Sequence, residues 1–259
     1  MCGFIGEISL DKLNPQKLIK CNELIECRGP DSLVQKNFSA ERIQYGLIFN
    51  RLAIIDLNNN ADQPMESANS SSVIMFNGEI YNHRKLRKEL EQKGVKFNTD
   101  HSDTEVLLNG LDYFGLDFIE KIKGQFSIAY MQTSSQKVYL IRDRVGQKPL
   151  FYSLNSSDLI FGSNLKSLVN YKDEFEINNS SIEEYMETGV VSSPNTIFKN
   201  INKVEPGQIV EIDLSLKPFR LIKTNYWKPE NFIDDKIFNE EEFLHLFTEA
   251  VSILSLIHI

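Results

Sequence analysis

The chain has 259 residues, and its 28 Lys and Arg against 36 Asp and Glu give a formal net charge of −8. This acidic balance argues against nucleic acid and anionic membranes as partners, because both select Lys/Arg-rich faces. Hydrophobic residues make up 41% of the chain, which is ordinary for a globular protein with a sizeable core. No apolar run reaches the roughly 18 residues of a membrane span, and no signal-peptide core is present. We therefore expect a cytoplasmic protein.

Short apolar runs predict a series of buried β-strands. They cover residues 4–8, 45–49, 52–55 and 73–76. Two antiparallel hairpins follow, one with strands at 126–130 and 138–142, the other with strands at 150–152 and 159–161. The middle of the chain is therefore predicted to be dominated by sheet.

Helices are predicted between these strands. Helical spacing covers residues 15–25 and 84–93, and a capping box at Ser102 to Glu105 begins a helix that Gly115 closes. The same capping-box pattern at Ser181 to Glu184 predicts a helix that ends before Gly189. Antiparallel pairs with interspersed helices and no long βαβ alternation predict an α+β sandwich of sheets covered by helices.

The C-terminal part of the sequence has a looser pattern. From about residue 214 to 238 the composition predicts a linker, and residues 239–251 predict an amphipathic helix with nothing after it to pack on. The last residues, 251–259, are apolar and uncapped, so we expect a truncated or misread end.

Cys2 is the residue with the clearest chemical potential. Three cysteines without paired spacing predict neither a zinc site nor a disulfide framework, and Cys21 is predicted to be a core residue. If the initiator Met is removed, residue 2 carries both a thiol and a free α-amine, which can act as nucleophile and general base. From Met1 and Cys2 alone, the alternative is that the chain simply begins with Met-Cys and that Cys2 has no catalytic role.

Six separated motifs stand in order along the chain: Met1-Cys2-Gly3-Phe4, Arg28-Gly29-Pro30-Asp31, Arg51 to Asp56, Asn77-Gly78-Glu79-Ile80-Tyr81-Asn82-His83, Ser102 to Glu105, and Arg142 to Tyr152. Together they resemble the class II glutamine amidotransferase domain of glutamine-hydrolysing asparagine synthetases. The resemblance implies a four-layer α/β/β/α sandwich of the N-terminal-nucleophile hydrolase type over residues 2–213. It also implies a linker at 214–238 and the start of a truncated ATP-binding synthetase domain at 239–259.

The resemblance implies that Cys2 attacks the side-chain amide of L-glutamine while Asn77 and Gly78 form the oxyanion hole. Amide hydrolysis needs such donors, because the tetrahedral intermediate carries a negative oxygen. The Asn77 amide and the Gly78 backbone N–H can both donate. An Asn-Gly hairpin turn is the alternative reading of the same two residues, and both can hold together.

Recognition of free glutamine needs one group for its α-carboxylate and one for its α-ammonium. Arg51 can donate twice to the carboxylate and Asp103 can accept from the ammonium, and the family resemblance assigns these roles. It also places the backbone of Arg51, Leu52, Ala53, Ile54 and Ile55, together with Glu79, along the same pocket. Read without the family, Arg51 is a solvated strand-end charge and Asp103 a helix N-terminal acid.

Two positions depart from the resembled pattern: Cys27 where a His is usual, and Asn164 where a Glu commonly follows the Ser. The sequence predicts no metal site and no cofactor in this fragment, with ATP and Mg belonging to the missing C-terminal synthetase domain. Glutamine and that domain are the predicted partners. Two alternatives stay open: an amidotransferase for a different carboxylate acceptor, and a catalytically silent glutamine-binding regulatory module.

Overall fold

A computed structural model describes residues 2–171, 175–233 and 238–254. The described strands are β1 (Gly3–Ser9), β2 (Ser32–Ala40), β3 (Ile43–Arg51), β4 (Met65–Glu66), β5 (Ser72–Ile80), β6 (Gly124–Gln132), β7 (Lys137–Arg142), β8 (Phe151–Leu154), β9 (Asp158–Gly162), β10 (Asn202–Lys203), β11 (Gln208–Asp213) and β12 (Arg220–Asn225). The described α-helices are α1 (Pro15–Glu23), α2 (His83–Gln92), α3 (Asp103–Phe114), α4 (Phe118–Lys121), α5 (Leu165–Tyr171), α6 (Asn179–Thr188) and α7 (Glu240–Leu254).

The strands form two six-stranded sheets. The first has the order β10-β8-β9-β1-β3-β2, and the second has the order β12-β11-β7-β6-β5-β4. Among the described residues, every strand pairing within the two sheets is antiparallel. The first strand of the chain therefore lies inside its sheet, between β9 and β3, where the start of β1 is held on both sides.

Apolar side chains define four layers. One core lies between the two sheets and includes Phe4, Phe49, Met75 and Leu140. A second core packs the outer face of the second sheet against α2, α3 and α4, and two smaller ones pack the first sheet against α1 and α5. The predicted α+β fold, a four-layer α/β/β/α sandwich, is confirmed.

Several local predictions agree with the structure in detail. The Ser102 Oγ accepts the Glu105 N–H at 3.3 Å at the start of α3, as a helix N-cap does. The Glu105 carboxylate does not return to Ser102, because it accepts the N–H groups of Asn98 and Thr99 at 2.6 and 2.8 Å. The capping box is therefore half formed, and its acid ties the preceding loop to the helix.

Other local predictions were wrong. Residues 52–55 are not a strand, since β3 ends at Arg51 and the chain turns away. Helix α6 begins at Asn179, so Ser181 lies inside it and not at its cap, although Gly189 ends it with φ of 78°. Strands β2, β11 and β12 were not predicted from the sequence. Strands β2 and β12 are edge strands without fully buried residues, so they lack the apolar run on which strand prediction depends.

Residues 214–233 of the predicted linker are more structured than their composition indicates, and residues 234–237 lie outside the described residues. The described part contains β12, which pairs along its whole length with β11 in the second sheet. The predicted helix after residue 239 is present as α7, and its apolar side chains Phe243, Leu246, Phe247 and Val251 are exposed. Residues 255–259, which belong to the predicted truncated end, lie outside the described residues. The domain boundaries themselves stay predictions.

Candidate active site

Cys2 lies directly before β1 and next to the end of β3. In the register of these strands Gly3 pairs with Asn50, which brings Cys2 beside the chain that leaves β3. The N–H of Leu52 donates to the Cys2 Sγ at 3.4 Å. Burial raises the pKa of the Cys2 thiol, while the Leu52 N–H opposes this rise by stabilising the thiolate. The thiol therefore needs nearby donors and cations to ionise near neutral pH.

The turn at residues 28–31 packs against this cysteine. The Arg28 Nε donates to the Cys2 carbonyl oxygen at 3.0 Å, and the Asp31 Oδ2 accepts the Ala53 N–H at 2.8 Å. A Cβ added to Gly29 would lie 2.3 Å from a carbonyl oxygen of β3, so only glycine allows this approach. The motif thus fixes both the start of β1 and the chain that follows β3.

Asn77 projects from β5 toward the space between the sheets. Val73 and Met75, four and two residues earlier on the same strand, belong to the inter-sheet core, so Asn77 shares their face. Asn77 is only 1% exposed, and its Nδ2 has no hydrogen-bond partner within the protein. An unsatisfied buried donor costs about 1–3 kcal/mol, and this donor is available to a ligand oxygen in the cavity.

The backbone N–H of Gly78 points away from β6. Gly78 pairs with Phe126, but the N–H and C=O of Phe126 are both bonded to Asp143, at 3.2 and 2.9 Å. The two residues therefore form a non-hydrogen-bonded pair, which directs the Gly78 N–H to the opposite edge of β5. A Cβ on Gly78 would lie 2.1 Å from the Gln125 carbonyl oxygen, so the close pairing here requires glycine.

The same edge of β5 is occupied on either side of Gly78. The Phe76 N–H donates to the Gln63 Oε1 at 2.6 Å, and the Ile80 N–H donates to the Asp103 Oδ2 at 3.1 Å. Because residues two apart on a strand expose their backbone groups on the same edge, Gly78 lies between these two anchored positions. Asn77 and Gly78 therefore present a side-chain and a backbone donor to the same cavity.

Three acidic residues line this cavity: Asp56, Glu79 and Asp103. Burial and the nearby Glu79 raise the pKa of Asp103 to about 7, although the Ile80 N–H opposes this rise. Burial likewise raises the pKa of Glu79, and Lys148 opposes that rise. The Glu79 Oε1 has no hydrogen-bond partner within the protein. These acids provide acceptors for a cationic group of a ligand.

The Arg51 guanidinium holds the loop after β3 and still has N–H donors without a partner in the loop. Its Nη1 donates to the Asn58 carbonyl oxygen at 3.0 Å and to Asp62 at 2.7 Å, and its Nη2 donates to the Asp56 carbonyl oxygen. A guanidinium has five N–H donors, so these three bonds leave two. Two donors are the number that a bidentate carboxylate contact uses. Arg51 can thus hold the loop after β3 and still bind a carboxylate.

Nine of the ten predicted site residues line one cavity of about 230 Å³: Cys2, Arg51, Leu52, Ile54, Ile55, Asn77, Gly78, Glu79 and Asp103. Ala53 does not line it, because its N–H is directed to Asp31. The sequence analysis missed further lining residues: Asp56, Ala61, Gln63, Phe76, Ser102, Thr104, Gln125 and Lys148. Lys148 lies in the motif 142–152, and its place in that motif was the only sequence feature that could have marked it as a site residue.

The two departures from the resembled pattern lie outside the cavity lining. Cys27 is exposed in a short 3-10 helix at Glu26–Arg28. The Asn164 Oδ1 accepts the Lys166 N–H at 2.8 Å at the start of α5, while Ser163 carries the contact to β1 through a 3.0 Å bond from the Phe4 N–H. Asn164 therefore serves local helix structure.

The described residues contain no group of three or more His, Cys, Asp or Glu side chains that could hold a metal ion. Within the same residues, none of the helices has the length and apolar character to cross a bilayer. The cavity lining offers a thiol, two convergent donors, a guanidinium, an ammonium and three carboxyl groups. This set fits the attack on an amide whose substrate also carries a carboxylate and an ammonium group.

A four-layer α/β/β/α sandwich with a cysteine at the start of an inner strand defines the N-terminal-nucleophile class of amidotransferase folds. Among solved structures, the glutamine phosphoribosylpyrophosphate amidotransferase from B. subtilis superimposes with a TM-score of 0.63. The match covers 87% of this chain and 49% of that chain, with 18% sequence identity. At this identity the likeness shows the fold alone.

The sequence comparisons are more specific. The glutamine amidotransferase domain family matches residues 1–227, and the chain belongs to that family, in its class II branch. It is 37% identical over 249 residues to asparagine synthetase [glutamine-hydrolyzing] 1 of Bacillus subtilis, covering 93% of this chain and 38% of that relative. It is 31% identical to a putative asparagine synthetase 2 of Methanocaldococcus jannaschii, covering 98% and 52%. A Gibberella zeae protein named amidase chry2 is 29% identical, covering 71% and 26%.

The chain thus spans between about two fifths and one half of the length of the first two relatives.

Proposed function

We propose that this chain is the glutaminase part of a glutamine-dependent asparagine synthetase. The observation that carries the proposal is the convergence of the Cys2 thiol, the unpartnered Asn77 Nδ2 and the outward Gly78 N–H on one cavity. Family membership supports glutamine as the amide that enters this cavity. The synthetase relatives support asparagine formation as the overall reaction.

Removal of Met1 frees the α-amine of Cys2, which takes the thiol proton, directly or through one water. The Sγ then bonds to the side-chain carbonyl carbon of glutamine, and the oxyanion is stabilised by Asn77 and Gly78. The ammonium form of the α-amine protonates the leaving nitrogen, so the C–N bond breaks and ammonia departs. Water, deprotonated by the same amine, hydrolyses the thioester to glutamate and restores the thiol.

Glutamine is held at its other end by opposite charges. The remaining donors of Arg51 bind the α-carboxylate, and the Asp103 carboxylate accepts from the α-ammonium, with Glu79 nearby. This pair of contacts explains why a free amino acid, and not a peptide amide, is the proposed substrate. A peptide bond at either end would remove one of the two charges.

The ammonia would pass to a synthetase domain that follows this part of the chain, where ATP activates aspartate. ATP and Mg²⁺ belong to that domain in this proposal, as does the substrate that receives the nitrogen. The cytoplasmic location likewise stays a prediction. A second candidate is the same glutaminase serving a different carboxylate acceptor, since one relative is named an amidase and not an asparagine synthetase.

The test measures glutamate release by the chain after intact-mass spectrometry has shown that Met1 is removed. Cys2→Ala should abolish release with an unchanged circular dichroism spectrum, whereas Cys27→Ala, which changes an exposed cysteine, should retain it. Turnover by Cys2→Ala would require another nucleophile. A processed chain that binds glutamine without hydrolysing it would instead support the silent regulatory module.

A further inference from the structure

Lys148 is a buried cation in the cavity that holds Cys2. It lies in the loop between β7 and β8, is 9% exposed, and lines the cavity together with Cys2, Asn77 and Glu79. A lysine ammonium is rarely buried unless it meets opposite charge. Its position is thus a feature of the site that the mechanism above does not use.

The backbone of Lys148 is fixed from two sides. Its N–H donates to the Asp143 Oδ2 at 3.0 Å, and its carbonyl oxygen accepts the Arg142 Nε at 3.0 Å. Asp143 is itself 1% exposed, and its carboxylate also accepts the N–H groups of Phe126 and Gln147. The loop is therefore tied to β6, next to the pair formed by Gly78 and Phe126. The side chain of Lys148 enters the cavity from a rigid base.

The charged groups that face Cys2 and Lys148 come from several elements: Arg28, Arg51, Glu79, Asp103 and Asp143, with the α-amine of Cys2 once Met1 is removed. Asp103 raises the pKa of the Cys2 thiol and Arg51 lowers it. Burial and Arg28 lower the pKa of Lys148, whereas Asp143, Cys2 and Glu79 raise it. An effect of the thiolate on the ammonium is reciprocal, so the ammonium favours the thiolate.

We propose that Lys148 is a positioning residue of the glutaminase site, whose ammonium neutralises Glu79 and keeps Cys2 in its thiolate form. The inference rests on the proposed role of Cys2 as nucleophile. Without this cation, Glu79 and Asp103 together make the cavity more negative, and a further negative charge on Cys2 becomes unfavourable. Arg51 also lowers the pKa of the Cys2 thiol, so loss of the Lys148 charge removes one of two side-chain cations that favour the thiolate.

The test follows alkylation of Cys2 by iodoacetamide as a function of pH, measured by mass spectrometry of the N-terminal peptide in chains with Met1 removed. Peptide-level measurement separates Cys2 from the exposed Cys27. We expect the midpoint for Lys148→Met to lie about one pH unit above that of the parent chain, and Lys148→Arg to restore it. Lys123→Met, which removes an exposed lysine, should leave the midpoint unchanged. If Lys148→Met does not fold, Lys148→Gln has the same expected shift.

An unchanged midpoint in a folded Lys148→Met chain would overturn the proposal. An equal shift in Lys123→Met would also overturn it, because the effect would then belong to net charge. Alkylation requires no glutamine turnover, so its outcome is independent of the glutaminase assay. If the alkylation midpoint of Cys2 depends on Lys148 but no glutamate is released, the proposed function is contradicted. The effect of the Lys148 charge on the Cys2 thiol would still be supported.

Discussion

The side-chain amide of Gln63 forms two hydrogen bonds with the backbone of Phe76, the residue before Asn77. The Phe76 N–H donates to the Gln63 Oε1 at 2.6 Å, and the Gln63 Nε2 donates to the Phe76 carbonyl oxygen at 3.1 Å. Strand β4 pairs only with Val73 and Ile74, so at Phe76 the Gln63 side chain takes the place of a neighbouring strand. A third bond, from Nε2 to the Thr104 Oγ1 at 3.2 Å, ties this point to α3.

Gln63→Met should therefore lower activity through the position of Asn77. The methionine keeps the volume but leaves the N–H and C=O of Phe76 without these partners, which costs about 1–3 kcal/mol per unsatisfied buried group. We expect a lower midpoint of thermal unfolding and a kcat reduced about tenfold, measured by glutamate release. Gln92→Met, at the exposed end of α2, is the matched control. A kcat equal to that of the parent chain in Gln63→Met would show that β5 keeps Asn77 in position without the Gln63 amide.

Asn77→Ala should reduce kcat and leave KM nearly unchanged. The Asn77 Nδ2 has no partner in the protein, and loss of one oxyanion donor raises the barrier by about 2.7–4 kcal/mol, or roughly 10²–10³ in kcat. Steady-state glutamate release measures both constants, and Asn170→Ala on the exposed surface of α5 serves as control. A rise in KM at constant kcat would instead assign Asn77 to ground-state binding.

Gly78→Ala should be more damaging than its size indicates. The added Cβ would lie 2.1 Å from the Gln125 carbonyl oxygen and 2.7 Å from the Phe126 Cα, so β5 and β6 must separate. We expect reduced thermal stability together with loss of glutamate release, since the donor N–H moves with the backbone. Thermal unfolding and the hydrolysis assay measure the two effects. Full activity at parent stability would exclude this close pairing of the strands.

Glutamine binding should weaken as the pH falls through about 7. Asp103, with its pKa raised to about 7 by burial, accepts from the α-ammonium only as a carboxylate, so protonation removes the attraction. Calorimetry of glutamine binding to the Cys2→Ala chain between pH 5.5 and 8.5 measures this without turnover. Kd should rise toward tenfold per pH unit on the acid side. Asp103→Asn should bind weakly throughout and show little of this pH dependence.

Nine of the ten predicted site residues line one cavity, whereas several strands of the two sheets were not predicted. The motifs around Cys2, Arg51, Asn77 and Asp103 are local in the chain, and their residue types follow from the chemistry of amide attack. Strands β2 and β12 were missed because edge strands expose polar side chains and show no apolar run. Ala53 was placed in the pocket because a sequence motif does not show which of its residues turn away.

The sequence alone determined which groups could react, since the identity and order of its motifs fix the available thiol, amide, guanidinium and carboxyl groups. Only the tertiary structure decided how they are used. The direction of the Gly78 N–H depends on Phe126 being bonded to Asp143, and the edge of β5 depends on Gln63 and Asp103, which precede or follow it by many residues. Such relations arise from strand register and burial, which depend on contacts across the whole chain and not on neighbouring residues.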